Sequence, residues 1–402
     1  MTEAGHTEPI KLWNMSYISI LTINTLNAFS FFMIVTILSK YLIGIGATIS
    51  LAGVIVGIFS LTSLLIRPAC GVMSDRLNNV RLLKWSNVLM GVGLLGFAFT
   101  TSIPLIIVFR IINGIGFAIG GTSQISLATK YIPKNKMGEG MGYLGLGMVM
   151  GSAVAPGIGL SIANNFGMKT TFLISASLTV VAYILLCFFH EQKKKEAVVH
   201  KKIAFRDIID PKALPYTVVA STFSFVNGSI ASYLLLFADE KGITGISVYF
   251  TVCAVVLFLI RPFSGKLMDK KGIRIIVLPG LFITACSMFG LGRSSTLIMI
   301  LLTGVFRSLG QGAAQPSLQA GCINKVGRDR SGVATSTYYL GGDIAQGVGP
   351  MLGGVIIGQY VGIDGYRNLF DLCGIVMLIA LVFFFFVTKK ESKSNSEIQG
   401  VD

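Results

Sequence analysis

Long apolar segments, separated by short polar or charged stretches, follow one another along almost the whole chain. A helix needs about 20 apolar residues to cross a bilayer, and each segment is long enough to do so. The pattern therefore predicts six membrane spans, a charged stretch, and six further spans. The predicted spans are 14–38, 48–66, 83–101, 104–127, 139–163 and 169–189, followed by 213–237, 244–264, 273–292, 296–320, 332–357 and 367–388.

One motif occurs twice and relates the two halves of the chain. Residues 67–76 read RPACGVMSDR, and residues 261–270, which lie 194 positions later, read RPFSGKLMDK. The same offset carries Gly138 onto Gly332. A repeat of this length indicates two related six-helix bundles. We expect a bundle at 14–189, a linker at 190–212, a second bundle at 213–388, and short tails at 1–13 and 389–402.

The composition supports a membrane protein, and the positions of the cations account for the basic net charge. Of the 402 residues, 53% are hydrophobic and only 13% are charged, which is too apolar for a soluble globular protein. The formal net charge is +15, and most of the cations lie in alternate loops, the linker and the tails. Because cytoplasmic loops are rich in Lys and Arg, we place both termini in the cytoplasm and the chain in the cell (plasma) membrane. We expect no nucleic-acid partner.

The sequence gives no support for a metal or cofactor site, and none for an enzyme active site. The six cysteines stand singly in apolar surroundings, and the three histidines lie outside the predicted spans. This pattern gives no reason to expect a disulfide, a metal site or another cofactor. No combination of a nucleophile, a base and an orienting residue is apparent either, so we do not expect an enzyme.

The repeated motif combines a glycine, an acid and a cation at the cytoplasmic end of a span. We expect a tight turn over residues 71–84, which a glycine permits. Asp75 can accept hydrogen bonds from a nearby helix N-terminus. Because two copies occupy matching positions, the sequence predicts a paired structural device at the cytoplasmic face. Its residues are Gly71, Asp75 and Arg76 in the first half, and Gly265 and Asp269 in the second.

Polar side chains inside the spans predict a central cavity. Such groups are costly in lipid, so they are expected to face the interior of the bundle. For Asn24 and Asn27, hydrogen bonding between helices and contact with a substrate both remain open. Gln311, Gln315 and Gln319 recur every four residues and share one face of a helix. The predicted cavity residues are Asn24, Asn27, Phe31, Phe32, Tyr143, Asn227, Tyr233, Arg307, Gln311, Gln315, Tyr338 and Tyr339.

Asp343 is the acid that lies nearest the middle of a predicted span. Burial favours the protonated form of a carboxyl group, which suits a group that takes up and releases protons. Proton or cation coupling is one interpretation, and a structural ion pair with Arg110 or Arg307 is the other. Arg110 either takes part in coupling or substrate orientation, or extends to the outer membrane interface.

Three segments resemble motifs of the major facilitator superfamily. RPACGVMSDRLNNVR resembles the loop between the second and third helices that marks this family, with Gly71, Asp75 and Arg76 at its key positions. FRIINGIGFAIGG resembles the fourth-helix motif that contains an arginine, here Arg110. GSAVAPGIG resembles the fifth-helix antiporter motif of the 12-helix drug:proton antiporters, carried here by Gly151, Pro156 and Gly159.

The resemblance implies an all-α membrane protein with twelve helices in two pseudo-symmetric six-helix bundles. It also implies secondary active transport by alternating access, here proton-coupled efflux of small amphipathic compounds or drugs, as in multidrug resistance. Asp343 would bind a proton or a cationic substrate, Arg110 would tune this acid, and the two loop motifs would close the cytoplasmic side. The alternative is transport, in either direction, of a specific anionic metabolite such as a sugar, an organic acid or a siderophore. The expected partners are a small-molecule substrate, protons and the lipid bilayer, and we expect a monomer.

Overall fold

The predicted fold class is confirmed. A computed structural model describes residues 12–47, 49–189, 209–360 and 362–399. Within these ranges, twelve helices are long and apolar enough to cross a membrane. The helices of the first half are α1 (Met15–Gly44), α2 (Ile49–Arg76), α3 (Asn79–Phe99), α4 (Ile103–Tyr131), α5 (Met137–Phe166) and α6 (Met168–Phe188). Those of the second half are α7 (Leu214–Glu240), α8 (Val248–Lys271), α9 (Ile273–Arg293), α10 (Leu297–Val326), α11 (Ser331–Gly358) and α12 (Ile363–Gln399).

Several helices begin at a side chain that accepts a hydrogen bond from the first helical turn. Asn14 accepts from the Tyr17 N–H at 2.8 Å at the start of α1. Asn78 accepts from the Arg81 N–H at 2.8 Å at the start of α3. The first N–H groups of a helix have no partner within it, so these caps define where the helices start.

The expected turn over residues 71–84 is wrong. α2 continues through Gly71 to Arg76, and only residues 77 and 78 separate it from α3. The length of an apolar segment reflects the thickness of the hydrocarbon layer and does not show where a helix ends. α2 therefore can, and does, extend past its apolar segment. At the other end of the chain, α12 likewise continues to Gln399, beyond the predicted boundary at residue 388. Most of the predicted linker, residues 190–208, lies outside the described residues.

The helices of each half pack in the same pattern. In the first half α1 contacts α5 and α3 contacts α4, and in the second half α7 contacts α11 and α9 contacts α10. Glycines permit the closest of these approaches. A Cβ on Gly159 of α5 would overlap the carbonyl oxygen of Met33 in α1, and a Cβ on Gly228 of α7 would overlap the carbonyl oxygen of Gln346 in α11. Small residues of this kind let membrane helices pack backbone against backbone.

The two halves meet mainly through α2 against α11 and α5 against α8. Many of the hydrogen bonds that join them lie near one side of the molecule, where α2, α4, α8 and α10 end and where α5 and α11 begin. We call this side the linker face, because the segment that connects α6 to α7 also begins and ends there. The halves are therefore closed against each other at the linker face.

The packing at Gly159 predicts opposite effects for two neighbouring glycines of α5. Gly159→Ala places a methyl group against the Met33 backbone and is expected to destabilise the protein by about 1–3 kcal/mol. Gly157→Ala meets nothing within 4 Å, and it should be neutral or stabilise the helix by up to about 1 kcal/mol. Thermal unfolding of the purified protein in detergent measures both. Equal melting temperatures for the two variants would contradict this account of the α1–α5 contact.

Candidate functional site

A cavity of about 550 Å³ lies between the two halves of the protein. Side chains from α1 to α5 line one wall, and side chains from α7, α10 and α11 line the other. The volume falls within the range that is typical of small-molecule sites. Of the side chains that we predicted to line a cavity or to couple transport, those at the cavity wall are Asn24, Asn27, Phe31, Phe32, Gln315, Tyr338, Tyr339 and Asp343.

The wall formed by the first half carries a cluster of four aromatic rings. The ring of Phe31 stacks on Phe117 at 4.7 Å and on Phe59 at 5.0 Å, and it meets the edge of Phe32 at 5.0 Å. Rings at these distances stabilise one another and form a continuous apolar surface. Sequence reasoning missed Phe59 and Phe117, because a ring that faces the cavity and a ring that faces lipid both lie in apolar segments.

The opposite wall is richer in hydrogen-bonding groups. Gln315, Gln319 and Gln346 line it together with Tyr338 and Tyr339. The hydroxyl group of Tyr338 donates to the Gln315 carbonyl oxygen at 3.0 Å, which fixes that ring. The two walls therefore differ: one presents aromatic surface, and the other presents amides and hydroxyl groups.

Asp343 forms an ion pair with Arg67, and this pair joins α11 to α2 across the cavity wall. The Arg67 Nε donates to Asp343 Oδ2, and its Nη2 lies 3.5 Å from Oδ1. The guanidinium group also lies over the ring of Tyr339, 4.5 Å from the ring centre. The Asp343 side chain remains 30% exposed, whereas that of Arg67 is only 6% exposed. The carboxylate is thus the partner that the cavity can reach.

The ion-pair interpretation of Asp343 named Arg110 or Arg307 as its partner, but the partner in the structure is Arg67. Arg67 lies nine residues before the end of α2, roughly 14 Å from that end at 1.5 Å per residue. Asp343 lies twelve residues after the start of α11, roughly 18 Å along it. The two side chains therefore reach a similar depth. Assigning Arg67 to the end of a span concealed this match, because the true end of α2 lies well beyond it.

Arg110 and Arg307 are each buried within one half of the protein and do not line the cavity. Arg110 donates to the Val56 carbonyl oxygen at 3.2 Å, and its guanidinium lies 4.5 Å from the ring centre of Phe59. Arg307 donates to Asn227 Oδ1 at 2.6 Å. The prediction that Arg307 and Asn227 line the cavity is therefore wrong, since the two side chains bond to each other inside the second half.

Three other predicted cavity residues also pack away from it. The ring of Tyr143 meets the edge of Trp13 at 4.7 Å. The Tyr233 hydroxyl group donates to the Pro350 carbonyl oxygen at 2.7 Å, between α7 and α11. Gln311 is buried and donates to Gln315 Oε1 at 3.1 Å, so it positions a cavity residue without lining the cavity itself. A helical face covers more than one environment along its length, and this is why spacing alone misplaced Gln311.

At the linker face, each aspartate of the repeated motif caps a helix of the other half. Asp75 in α2 accepts from the N–H groups of Gly332 and Val333 at 2.6 and 3.0 Å, at the start of α11. Asp269 in α8 accepts from the N–H groups of Gly138 and the following residue at 2.7 and 2.8 Å, at the start of α5. A carboxylate at a helix N-terminus satisfies otherwise unpaired donors and interacts favourably with the helix dipole.

The glycines of the repeated motif make these caps possible. A Cβ on Gly71 would lie 2.7 Å from the Cβ of Ser336, and a Cβ on Gly265 would overlap the backbone of Gly138. These glycines therefore serve close contact between the halves rather than a turn. Arg76, the last residue of α2, is exposed at the linker face.

The glycines of α5 serve two separate contacts. Gly151 and Gly159 face α1 of the same half, and a Cβ on Gly151 would lie 2.9 Å from the Cβ of Ala28. Gly138 and Gly142, nearer the start of the helix, face α8 of the other half. The helix also contains Pro156. α5 is thus packed tightly within its own half and also forms part of the boundary that closes the linker face.

Within the part of the chain that the structure describes, no three His, Cys, Asp or Glu side chains are grouped so that they could hold a metal ion.

The chain resembles known transporters in sequence. It is 27% identical over 351 residues to the multi-drug resistance efflux pump PmrA of Streptococcus pneumoniae, covering 83% of this chain and 84% of that protein. It is 24% identical over 343 residues to the multidrug resistance protein MdtG of Escherichia coli, covering 83% of each. An uncharacterised MFS-type transporter of Methanocaldococcus jannaschii is 25% identical over 376 residues, covering 91% of this chain and 96% of that protein.

Solved structures share the fold at low sequence identity. A bacterial homologue of the iron transporter ferroportin, crystallised in an outward-facing state, matches 94% of this chain and all of its own with a TM-score of 0.79 and 14% identity. The transporter FucP in the outward conformation matches 93% of this chain and 99% of its own with a TM-score of 0.77 and 15% identity. The family model described as Major Facilitator Superfamily matches residues 20–350 and 274–401. With two six-helix bundles that enclose a cavity, the chain belongs to the major facilitator superfamily and is a membrane transporter.

Proposed function

We propose that this transporter exports small amphipathic compounds in exchange for protons. The observation that carries the proposal is the ion pair between Asp343 and Arg67, which lies in the cavity wall and joins the two halves. Two of the relatives are named as multidrug resistance proteins, which supports export of such compounds. The positive-inside rule places the linker face in the cytoplasm, so the conformation described here is closed toward the cytoplasm.

The ion pair can respond to protons because its strength depends on one ionisable carboxylate. Opposite charges attract strongly where water is scarce, so the pair holds α2 against α11. A proton on Asp343 cancels its charge and removes most of that attraction. A buried arginine left without its carboxylate is then costly, which favours a conformation in which water reaches Arg67. Protonation of Asp343 therefore promotes opening of the linker face.

Competition for the same carboxylate links the flux of protons to the flux of substrate. Asp343 can pair with Arg67, bind a proton or pair with a cationic substrate, and each partner excludes the others. A ligand that binds one conformation better shifts the population toward it, and two ligands that compete for one group are coupled reciprocally. A substrate that displaces the proton inside and is itself displaced outside would be exported at the expense of the proton gradient.

The shape and chemistry of the cavity support an amphipathic substrate. The rings of Phe31, Phe59 and Phe117 offer an apolar surface on one wall. Gln315 and Gln346 offer amide groups on the other wall. A small molecule with an aromatic part and a polar or cationic part can satisfy both walls at once.

A specific anionic metabolite has less support as the substrate. That alternative depends on a cavity arginine free to bind a carboxylate, and neither Arg110 nor Arg307 meets this requirement. Both are buried within their own halves, where Arg110 bonds to a backbone carbonyl and Arg307 to Asn227. Arg67 does line the cavity, but its charge is already paired with Asp343.

Replacing the central carboxylate should uncouple transport from protons. Asp343→Asn keeps the shape of the side chain but cannot carry the charge, so efflux driven by a pH gradient should fall to the level of protein-free vesicles. The assay is efflux of a fluorescent aromatic cation from vesicles with the purified protein and an imposed pH gradient.

The matched control is Asp371→Asn. Asp371 also forms an ion pair with an arginine, Arg293 at 2.5 Å, but it lies outside the cavity. This variant should retain wild-type efflux. Normal gradient-driven efflux by Asp343→Asn would refute the coupling role, and equal loss in both variants would assign the effect to ion pairs in general.

Removing a ring from the aromatic wall should weaken substrate affinity. Phe31→Leu preserves an apolar side chain but loses stacking on two neighbours, so KM for an aromatic cation should rise about two- to tenfold while kcat changes little. Phe306→Leu, at an exposed ring of α10 outside the cavity, is the control and should leave KM unchanged. The same initial-rate assay measures both variants. An unchanged KM for Phe31→Leu would exclude this wall as the binding surface.

A further inference from the structure

The short turn between α10 and α11 makes a contact with the other half that neither repeated motif includes. Arg328, the first residue of this turn, donates from Nη1 to the carbonyl oxygens of Thr129 at 3.1 Å and Ile132 at 2.7 Å. Both acceptors lie at the end of α4. The last carbonyl groups of a helix carry partial negative charge and lack partners within the helix, so a guanidinium group is a suitable donor for them.

A single proline makes one of these carbonyl groups available. Thr129 would ordinarily accept from the N–H of residue 133, four positions later, but that residue is Pro133 and has no N–H. The Thr129 carbonyl group at the end of α4 therefore lacks its usual backbone donor. Arg328 supplies the missing donor from the opposite half.

The equivalent position in the second half is built differently. At the offset of 194 residues, Pro133 corresponds to Gly327, and Thr129 corresponds to Ile323. Gly327 has an N–H, and it donates to the Ile323 carbonyl oxygen at 2.8 Å. The end of α10 thus satisfies this carbonyl group by itself. The residue that corresponds to Arg328 is Lys134, which carries a compact ammonium group in place of the guanidinium group.

The space between the halves reflects this difference. Near Lys134, a crevice of about 410 Å³ lies at the linker face, lined also by Asn135, Asn324 and Lys325. On the opposite side, Arg328 reaches across to the end of α4. The turn that carries Arg328 is itself anchored, because Arg330 forms an ion pair at 2.6 Å with the buried Asp210.

We propose that Arg328 is a positioning residue for alternating access, a further connection between the halves that exists on one side of the linker face only. It acts beside the caps formed by Asp75 and Asp269, and Pro133 creates its acceptor. When the halves separate at the linker face, Arg328 must release both carbonyl groups. The contact therefore stabilises the conformation closed at this face. The proposal rests on alternating access but neither on the substrate nor on proton coupling.

Distances between spin labels across the linker face test the proposal without a substrate or a pH gradient. The labels are placed at Leu77→Cys and Lys271→Cys, which are exposed positions in opposite halves. The exposed Cys187 and Cys286 are replaced by Ala. All variants carry Asp75→Ala, which removes one helix cap so that the open conformation is populated enough to be measured.

In this background, Arg328→Ala should raise the ratio of open to closed molecules about tenfold, the effect of losing a charge-assisted hydrogen bond. Arg328→Lys should give an intermediate ratio. Lys134→Ala is the matched control at the equivalent position and should change the ratio less than about twofold, because it makes no such bond. Elution profile and melting temperature confirm that each variant is folded.

A fourth variant tests the origin of the acceptor. Pro133→Ala returns an N–H to the end of α4, so adding Arg328→Ala to it should have a smaller effect than Arg328→Ala alone. Equal ratios for Arg328→Ala and Lys134→Ala would overturn the proposal, as would an undiminished effect of Arg328→Ala in the Pro133→Ala chain. Either result would leave the proton-coupling hypothesis unaffected.

Discussion

One interaction is central to the structure of this transporter: two opposite charges meet in the wall between its halves. Arg67 and Asp343 come from α2 and α11, and their contact joins the two halves at the cavity wall. Removing one partner from a buried ion pair leaves the other charge buried and unpaired. This costs far more than replacing both partners by apolar residues. In the proposed mechanism, a change in the charge of Asp343 therefore weakens the contact between the halves.

The sequence repeat gives the two halves the same helix packing. Positions at which the repeat is not kept make the α2–α11 contact differ from the α5–α8 contact. Arg261 is the counterpart of Arg67, but the counterpart of Asp343 is Val149. Arg261 instead donates to the Gly145 carbonyl oxygen at 2.5 Å, a contact with no ionisable acceptor. At this position the α2–α11 contact thus has an ionisable acceptor, whereas its α5–α8 counterpart has a neutral one. A second difference of the same kind is that Pro133 in the first half corresponds to Gly327 in the second.

Sequence reasoning predicted the fold and part of the site. Apolar length and the repeat predicted twelve helices in two bundles, because membrane thickness imposes a strong pattern. The same pattern hid the ends of helices, so Gly71 was assigned to a turn and Arg67 to a boundary. The depth of a residue in the membrane and the rotation of its helix decide which polar groups meet. The spacing of residues along the sequence gives neither. This is why the sequence indicates a central role for Asp343, while the ion-pair interpretation names Arg110 or Arg307 and not Arg67.

The most direct test of the account is the distance across the linker face as a function of pH, measured between the labels at positions 77 and 271 without substrate. Molecules that are open at the linker face should become more abundant as the pH falls, because protonation of Asp343 releases Arg67. In Asp343→Asn this dependence should be absent and the open population should be high throughout. A distribution that ignores pH in the wild-type protein, or that responds equally in Asp343→Asn, would contradict the central role of the pair.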